Sequence, residues 1–291
     1  MKIIITGSSG FIGRNFIKSS YYKNKLTPVS LKNTPIDQVD FQNINSILHL
    51  AGLAHQINGA PSEAYFRINS DLTFDLARKA KEKGIRHFIF VSTVKVYGEV
   101  SKEGSPWNES SVCNPVDPYG KSKFEAECRI SALSDSSFTV SIIRTPIVYG
   151  EGVKGNILRL LTFINSLRIL PFGGIGNKRS MVYINNLIGL IDRVIEKKES
   201  GIFLAGDENQ MSTTDLVKII SASMSKKKLI FKLPNLFIIL LKYIKPELIN
   251  RLYASFEIDC SNTNKKLDFK PQISSQEGVA EMVKWYLNNK K

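Results

Sequence analysis

The chain has 291 residues, 43% of them apolar and 23% charged, so it can bury a sizeable core and its composition excludes a disordered or fibrous protein. Its net charge is +14, yet the excess sits in scattered lysines such as Lys226–Lys228 and Lys290–Lys291, and no known binding module accompanies it, so no nucleic-acid partner is expected. The three cysteines, Cys113, Cys128 and Cys260, show neither disulfide nor metal spacing, which points to a reducing, cytoplasmic compartment and to no metal site.

Residues 2–6 predict a strand that opens the chain without the apolar length of a signal peptide. A glycine turn follows, and residues 11–20 read as a helix. A second strand falls near Pro28–Leu31. Short apolar runs at Ser46–Leu50, His87–Ser92 and Thr139–Arg144 predict three more. Continuous short runs of this kind suit a parallel sheet buried on both faces. Helical patterns at Asn69–Lys83, closed by Gly84, and at Lys121–Leu133 lie between them. Strand–helix alternation gives an α/β, doubly wound parallel sheet.

After Gly150 the rhythm changes. Helices are expected over 155–168 and 185–198, a glycine-rich turn over 172–176, a short strand over 202–205, and a mainly helical tail from about 212. The division expected is a sheet domain over 1–170 and a smaller, mainly helical lobe over 171–291, with some exchange of chain between them. The apolar stretch Leu233–Ile244 is interrupted by Pro234, Asn235 and Lys242 and falls short of the roughly 20 residues of a spanning helix. It reads as a buried amphipathic helix or a dimer contact, with peripheral membrane contact through Leu236–Tyr243 as the other reading.

The first motif is Thr6-Gly7-Ser8-Ser9-Gly10-Phe11-Ile12-Gly13, between the first strand and the first helix. Gly7 permits the tight turn, Gly10 lets the backbone approach a pyrophosphate, and Gly13 lets helix pack on strand. The helix start at Phe11 and Ile12 offers free N–H groups to the phosphates. In this context the motif signals a Rossmann-type dinucleotide site. The carboxylate that would bind an adenosine ribose 2′-hydroxyl is hard to place, Asp40 being the weak candidate. Arg14 follows the last glycine and Lys32 follows the second strand. Cations without a carboxylate suit a 2′-phosphate, so NADP is slightly preferred over NAD.

The second motif is Pro118-Tyr119-Gly120-Lys121-Ser122-Lys123. Tyr119 and Lys123 are four apart at a helix start and so share a face. A phenol with an ordinary pKa near 10 needs a neighbouring cation to act as an acid–base group at neutral pH, and Lys123 supplies one while also being placed to hold the nicotinamide ribose. The third motif, Phe90-Val91-Ser92-Thr93-Val94-Lys95-Val96-Tyr97-Gly98, ends a strand where open α/β sheets place their ligands. Thr93 is expected to hydrogen-bond the substrate oxygen beside Tyr119.

With TGSSGFIG (6–13), HLAG (49–52), Asn69, VSTVKVYGE (91–99), PYGKSK (118–123), RTPIVYG (144–150) and NKRSMVYI (177–184), the chain resembles the extended short-chain dehydrogenase/reductase family, in its nucleotide-sugar epimerase/dehydratase branch. The resemblance implies Thr93, Tyr119 and Lys123 as the catalytic set. It implies cofactor contacts at Leu50, Ala51, Gly52, Asn69 and Pro146 besides the glycine loop, and substrate contacts at Thr93, Lys95, Asn156 and Arg179. It implies a UDP-linked sugar as substrate and a homodimer built from the helices at 69–83 and 121–133. The stretch before HLAG is about one strand–helix unit shorter than in many such enzymes. Val94-Lys95 stand where the dehydratases carry an acidic pair, which disfavours 4,6-dehydration. The nearest likeness is to the short enzymes of bacterial surface polysaccharide synthesis that reduce the 4-keto group of UDP-2-acetamido-2,6-dideoxy-hexuloses. The expected activity is therefore 4-keto reduction, with UDP-hexose or UDP-N-acetylhexosamine 4-epimerisation next. A non-catalytic dinucleotide-sensing or RNA-binding relative is the reading of another class.

Overall fold

The computed structural model describes residues 1–54, 60–102 and 104–289. In chain order its elements are β1 (Ile3–Thr6), α1 (Phe11–Ser19), β2 (Leu26–Val29), β3 (Ser46–His49), α2 (Ser62–Phe66), α3 (Leu72–Glu82), β4 (His87–Thr93), α4 (Pro118–Ser131), β5 (Thr139–Thr145), β6 (Ile147–Tyr149) and α5 (Gly155–Ser166). There follow β7 (Ile169–Leu170), β8 (Met181–Tyr183), α6 (Ile184–Lys197), β9 (Gly201–Leu204), α7 (Thr213–Ser223), β10 (Leu229–Ile230), α8 (Asn235–Ile244), α9 (Pro246–Tyr253), α10 (Ser261–Leu267) and α11 (Ser275–Asn288).

Six strands form one parallel sheet in the order β2-β1-β3-β4-β5-β9. The strand side chains alternate between two cores, as the pleat requires. Ile3, Ile5, Leu48, Ile89 and Ile143 enter the core shared with Phe16 of α1 and Leu187 and Ile191 of α6. Ile4, Ile47, Phe88, Phe90 and Ile142 enter the core shared with Leu76, Ala77 and Ala80 of α3 and Ala126 and Ile130 of α4. Helices therefore cover both faces, which is why these strands read as unbroken apolar runs rather than as alternating ones.

The direction in which successive strands are added reverses across β1. The chain leaves β1 for β2 on one side and returns to β3 on the other, which opens a crevice at the carboxyl ends of β1 and β3. The short span between α1 and β3 contributes β2 and single 3-10 turns at Lys23–Lys25 and Ile36–Gln38, with no α-helix between β2 and β3. β9 joins the edge of the main sheet beside β5, with Phe203 and Leu204 buried, so the sheet takes strands from both sides of residue 170.

Two expectations change. The helix expected from Asn69 starts earlier, at Ser62 after Pro61, and Asn69 lies in a π-helical turn, Arg67–Asp71, inside it. The stretch 233–244 forms α8, but no residue of α8 is buried, so it is not the buried helix its composition suggested. Among the described residues no helix is long and apolar enough to cross a membrane, and no cluster of side chains could hold a metal ion. Cys113, Cys128 and Cys260 are free thiols.

Candidate active site

The glycine loop is built by close approach. Gly7 has φ +69°, and a Cβ there would meet the Ala51 nitrogen at 2.6 Å and the Leu50 carbonyl carbon at 2.7 Å. A Cβ on Gly13 would fall 2.3 Å from the Gly7 carbonyl oxygen, so only glycine lets α1 sit this close to the loop. The Gly10 N–H closes the turn on the Gly7 carbonyl at 3.0 Å. Gly10 also begins α1, which has no side-chain cap and no acidic residue in its first turn. The N–H groups of Phe11, Ile12 and Gly13 thus have no carbonyl one turn back to accept them, and the helix dipole adds partial positive charge there. These residues fit a pyrophosphate.

Leu50, Ala51 and Gly52 leave β3 along the same crevice. The Leu50 N–H donates to the Thr6 carbonyl at 3.3 Å, and the Ala51 N–H donates to Thr6 Oγ1 at 3.3 Å. Beneath them His49 hydrogen-bonds Thr6 Oγ1 at 2.7 Å and Thr73 Oγ1 at 3.0 Å. Burial, with the charge of Lys123 acting the same way, pushes the His49 pKa down to about 3. His49 is therefore a neutral structural link and not a proton carrier at neutral pH.

Gly52 faces Asn69 and Lys123. A Cβ on it would lie 3.0 Å from Asn69 Oδ1 and 3.3 Å from Lys123 Nζ. Asn69 is buried and saturated. Its Oδ1 accepts from the Leu53 N–H at 2.7 Å, and its Nδ2 donates to the Leu53 carbonyl and to Ser122 Oγ, each at 3.1 Å. Ser122 in turn donates to the Tyr119 carbonyl at 2.9 Å. One side chain therefore ties the loop after β3 to the first turn of α4, and the π-helical turn is what aims it there.

Asp117 begins α4 by accepting from the Gly120 N–H at 2.6 Å, and Pro118 occupies the first helical position. Tyr119 and Lys123 follow on one face. The Lys123 ammonium donates to the Val91 carbonyl at 3.0 Å and lies 4.3 Å from the Phe90 ring centroid. Burial drags its pKa down to about 8, against the opposing charge of Glu127 one turn on. The Tyr119 hydroxyl hydrogen-bonds Thr93. Burial nonetheless pushes its pKa up to about 12, with Asp117 and Tyr65 adding to the rise. The Tyr65 ring stands edge-on to it at 6.3 Å. Thr93, at the end of β4, also accepts from the Lys95 N–H at 3.3 Å. Thr93 and Tyr119 thus meet at the end of β4, and Lys123, one turn along α4, sits against Val91, Phe90 and Gly52.

The remaining residues sit at varied distance from this set. Lys95 is ion-paired with Asp117 and with Glu99, the latter at 2.9 Å. Burial disfavours its charge, but these two hydrogen bonds outweigh burial and raise its pKa. Arg179 donates to the Ala254 carbonyl at 3.1 Å from a bridge that pairs its backbone with Met211 and Phe256. Burial lowers its pKa against the charge of Glu99, which places Arg179 within electrostatic reach of the Lys95–Glu99 pair. Asn156 is exposed in the first turn of α5, and Pro146 is buried between β5 and β6. Arg14 is exposed and donates from Nε to the Ser9 carbonyl at 2.8 Å. Lys32 is exposed past the end of β2. Of the carboxylates that follow β2, Asp37 pairs with Lys79 at 2.8 Å and Asp40 accepts from the Gln42 N–H at 2.9 Å.

Sequence reasoning missed the support beneath the site. Glu127 and Arg144 form a buried pair, with Nη2 to Oε2 at 2.6 Å and Nε to Oε2 at 3.1 Å, and Ser92 donates to the same carboxylate. Burial works against the Arg144 charge, but the Glu127 hydrogen bonds and charge prevail and raise its pKa. Glu127 lies eight residues after Tyr119 on the same helical face, the one local signal that could have found it.

A family model for the NAD dependent epimerase/dehydratase family matches residues 3–206. The chain is 33% identical to a UDP-glucose 4-epimerase of Vibrio cholerae, over 98% of this chain and 95% of that protein. Its fold superposes on UDP-glucuronic acid 4-epimerase from Bacillus cereus in complex with NAD, with TM-score 0.78, 20% identity and 100% of both chains covered. It also superposes on RMD from Pseudomonas aeruginosa complexed with NADPH, with TM-score 0.79 and 16% identity, over 99% of this chain and 100% of that one. The chain belongs to the NAD-dependent epimerase/dehydratase family, an enzyme of the extended short-chain dehydrogenase/reductase type.

Proposed function

We propose that the enzyme inverts C4 of a UDP-linked hexose or N-acetylhexosamine by oxidising and re-reducing that carbon. The observation that carries this reading is the hydrogen bond between Tyr119 and Thr93, with the buried ammonium of Lys123 one turn along α4. The 33% identity to a UDP-glucose 4-epimerase over nearly the whole chain supports C4 as the reacting centre.

When bound, the dinucleotide would supply the hydride acceptor and donor and, in its oxidised form, positive charge that favours the phenolate. Tyr119 takes the proton from the sugar O4–H as C4 is oxidised and returns it to the other epimer. Thr93 holds that oxygen by a hydrogen bond and keeps Tyr119 oriented. Lys123, charged at neutral pH with a pKa about 8, lies next to Gly52 in reach of ribose hydroxyls, while the Tyr119 phenol, held near 12 by burial, would need the charge of the oxidised dinucleotide to give up its proton. Phe11, Ile12 and Gly13 hold the dinucleotide pyrophosphate. Asn156 and Arg179 grip the nucleotide diphosphate of the sugar, Arg179 through its planar fork. Lys95 acts through Asp117, fixing the start of α4, and reaches the sugar from the same place.

The open end of β2 favours a second reading. Lys32 is exposed past the end of β2, Arg14 is exposed in the first turn of α1 and Asp37 is paired with Lys79, a set of charges that supports a 2′-phosphate as ligand. NADPH-dependent reduction of a UDP-4-keto-2,6-dideoxy sugar, a reaction of surface polysaccharide synthesis, uses the same three residues. Proton NMR of UDP-glucose and UDP-N-acetylglucosamine incubated with the enzyme distinguishes the two. The first reading predicts the C4 epimers without added reductant, lost in Tyr119→Phe. No epimer, with NADPH oxidised by the 4-keto sugar, moves the assignment to the reductase.

A further inference from the structure

We propose that α8 and its flanks form a docking surface for an anionic lipid bilayer. On a helix of about 100° per residue, the exposed residues Leu236, Phe237, Ile239, Leu240, Tyr243 and Ile244 fill one continuous arc of about 160°. Ile238 and Leu241, the half-buried residues, face the other way. An apolar stripe thus points outward, where an ordinary surface helix is polar, with Tyr243 89% and Leu236 76% exposed. The stripe has an apolar approach, because Leu229 and Ile169 are register partners on the β7–β10 ribbon, both exposed, and Phe231 follows them.

Charge selects the occupant. Residues 226–251 carry seven lysines and arginines (Lys226, Lys227, Lys228, Lys232, Lys242, Lys245 and Arg251) against one acid, Glu247. A second copy meeting this face about a two-fold axis would oppose like charges. A surface of anionic headgroups over an apolar interior complements both the basic rim and the stripe. Ten residues span about 15 Å, so α8 lies in the interface and does not cross it. The chain that leaves the surface through α9 is tied to the segment that carries Arg179. Asn177 Nδ2 donates to the Leu252 and Ala254 carbonyls at 3.2 and 3.0 Å, and Arg179 donates to the Ala254 carbonyl. Docking therefore sets the orientation of Arg179 and its neighbours to the bilayer.

The test is co-sedimentation of the full chain with vesicles of phosphatidylglycerol in phosphatidylethanolamine, against vesicles of phosphatidylcholine alone. A Phe237→Glu/Leu240→Glu variant runs beside the wild type, with circular dichroism and dinucleotide binding confirming its fold. The expected result is binding to the anionic vesicles only, weakened by salt and reduced roughly tenfold or more in the variant. Equal binding by the variant, or no binding by the wild type, overturns the proposal. So does a wild-type dimer that the variant dissociates without any vesicle binding, which would make the face a self-interface.

Discussion

The buried ammonium of Lys123 should weaken the fold it serves. Its pKa falls from the ordinary 10.5 to about 8, a difference worth about 3 kcal/mol against the folded state wherever the lysine is charged in both states. Lys123→Met keeps the side-chain length and removes the charge, but leaves the Val91 carbonyl without its donor, which returns about 1 kcal/mol. Dinucleotide-free Lys123→Met should therefore be more stable than wild type by about 2 kcal/mol at pH 7. The sign of the pH dependence follows from the depressed pKa. Below pH 8 the wild type carries the full penalty. Between about 8 and 10.5 the unfolded chain binds more protons than the folded one, so wild-type stability rises with pH and the gap to the variant closes. Urea unfolding of both proteins at pH 7 and pH 10 measures this, and turnover should fall by about two to four orders of magnitude in the variant. A variant less stable than wild type at pH 7, or a gap that does not shrink with pH, would refute the reasoning.

Gly7→Ala places a Cβ 2.6 Å from the Ala51 nitrogen at a φ of +69°, and should cost at least about 2 kcal/mol and abolish dinucleotide binding; calorimetric titration with NAD and NADPH tests the second effect. Glu127→Gln leaves Arg144 buried beside a neutral amide and should lower unfolding free energy by about 3–5 kcal/mol, read from denaturant midpoints. Lys32→Glu should weaken NADPH binding about tenfold and leave NADH unchanged, by fluorescence titration; equal loss for both coenzymes would remove Lys32 from the 2′ position.

What could be read without coordinates was local. The Gly7–Gly13 loop and the Tyr119–Lys123 pair depend on spacing along one turn and one helix, and residue type alone carries that information. β1, β3, β4 and β5 were legible because strands buried on both faces are continuous apolar runs. The fate of β9 was not, since an equally short run serves in a lobe or at a sheet edge, and only its pairing with Ser141–Arg144 decides. The helical pattern from Asn69 was legible, while the earlier start after Pro61 and the π-helical turn that aims Asn69 at Leu53 and Ser122 were not, since those partners lie 16 and 53 residues away in the chain. The Glu127–Arg144 pair joins α4 to β5 across 17 residues and has no periodic signature. For α8 the composition was legible and the direction was not. A helix apolar nearly all round does not say which side faces the protein.

The most direct test of hydride chemistry at C4 with Tyr119 as acid–base group is incubation of UDP-glucose deuterated at C4. The expected result is the C4 epimer with deuterium retained at that carbon, and no epimer from Tyr119→Phe that still binds the dinucleotide. Epimer formed with deuterium lost to solvent, or formed undiminished by Tyr119→Phe, would contradict it.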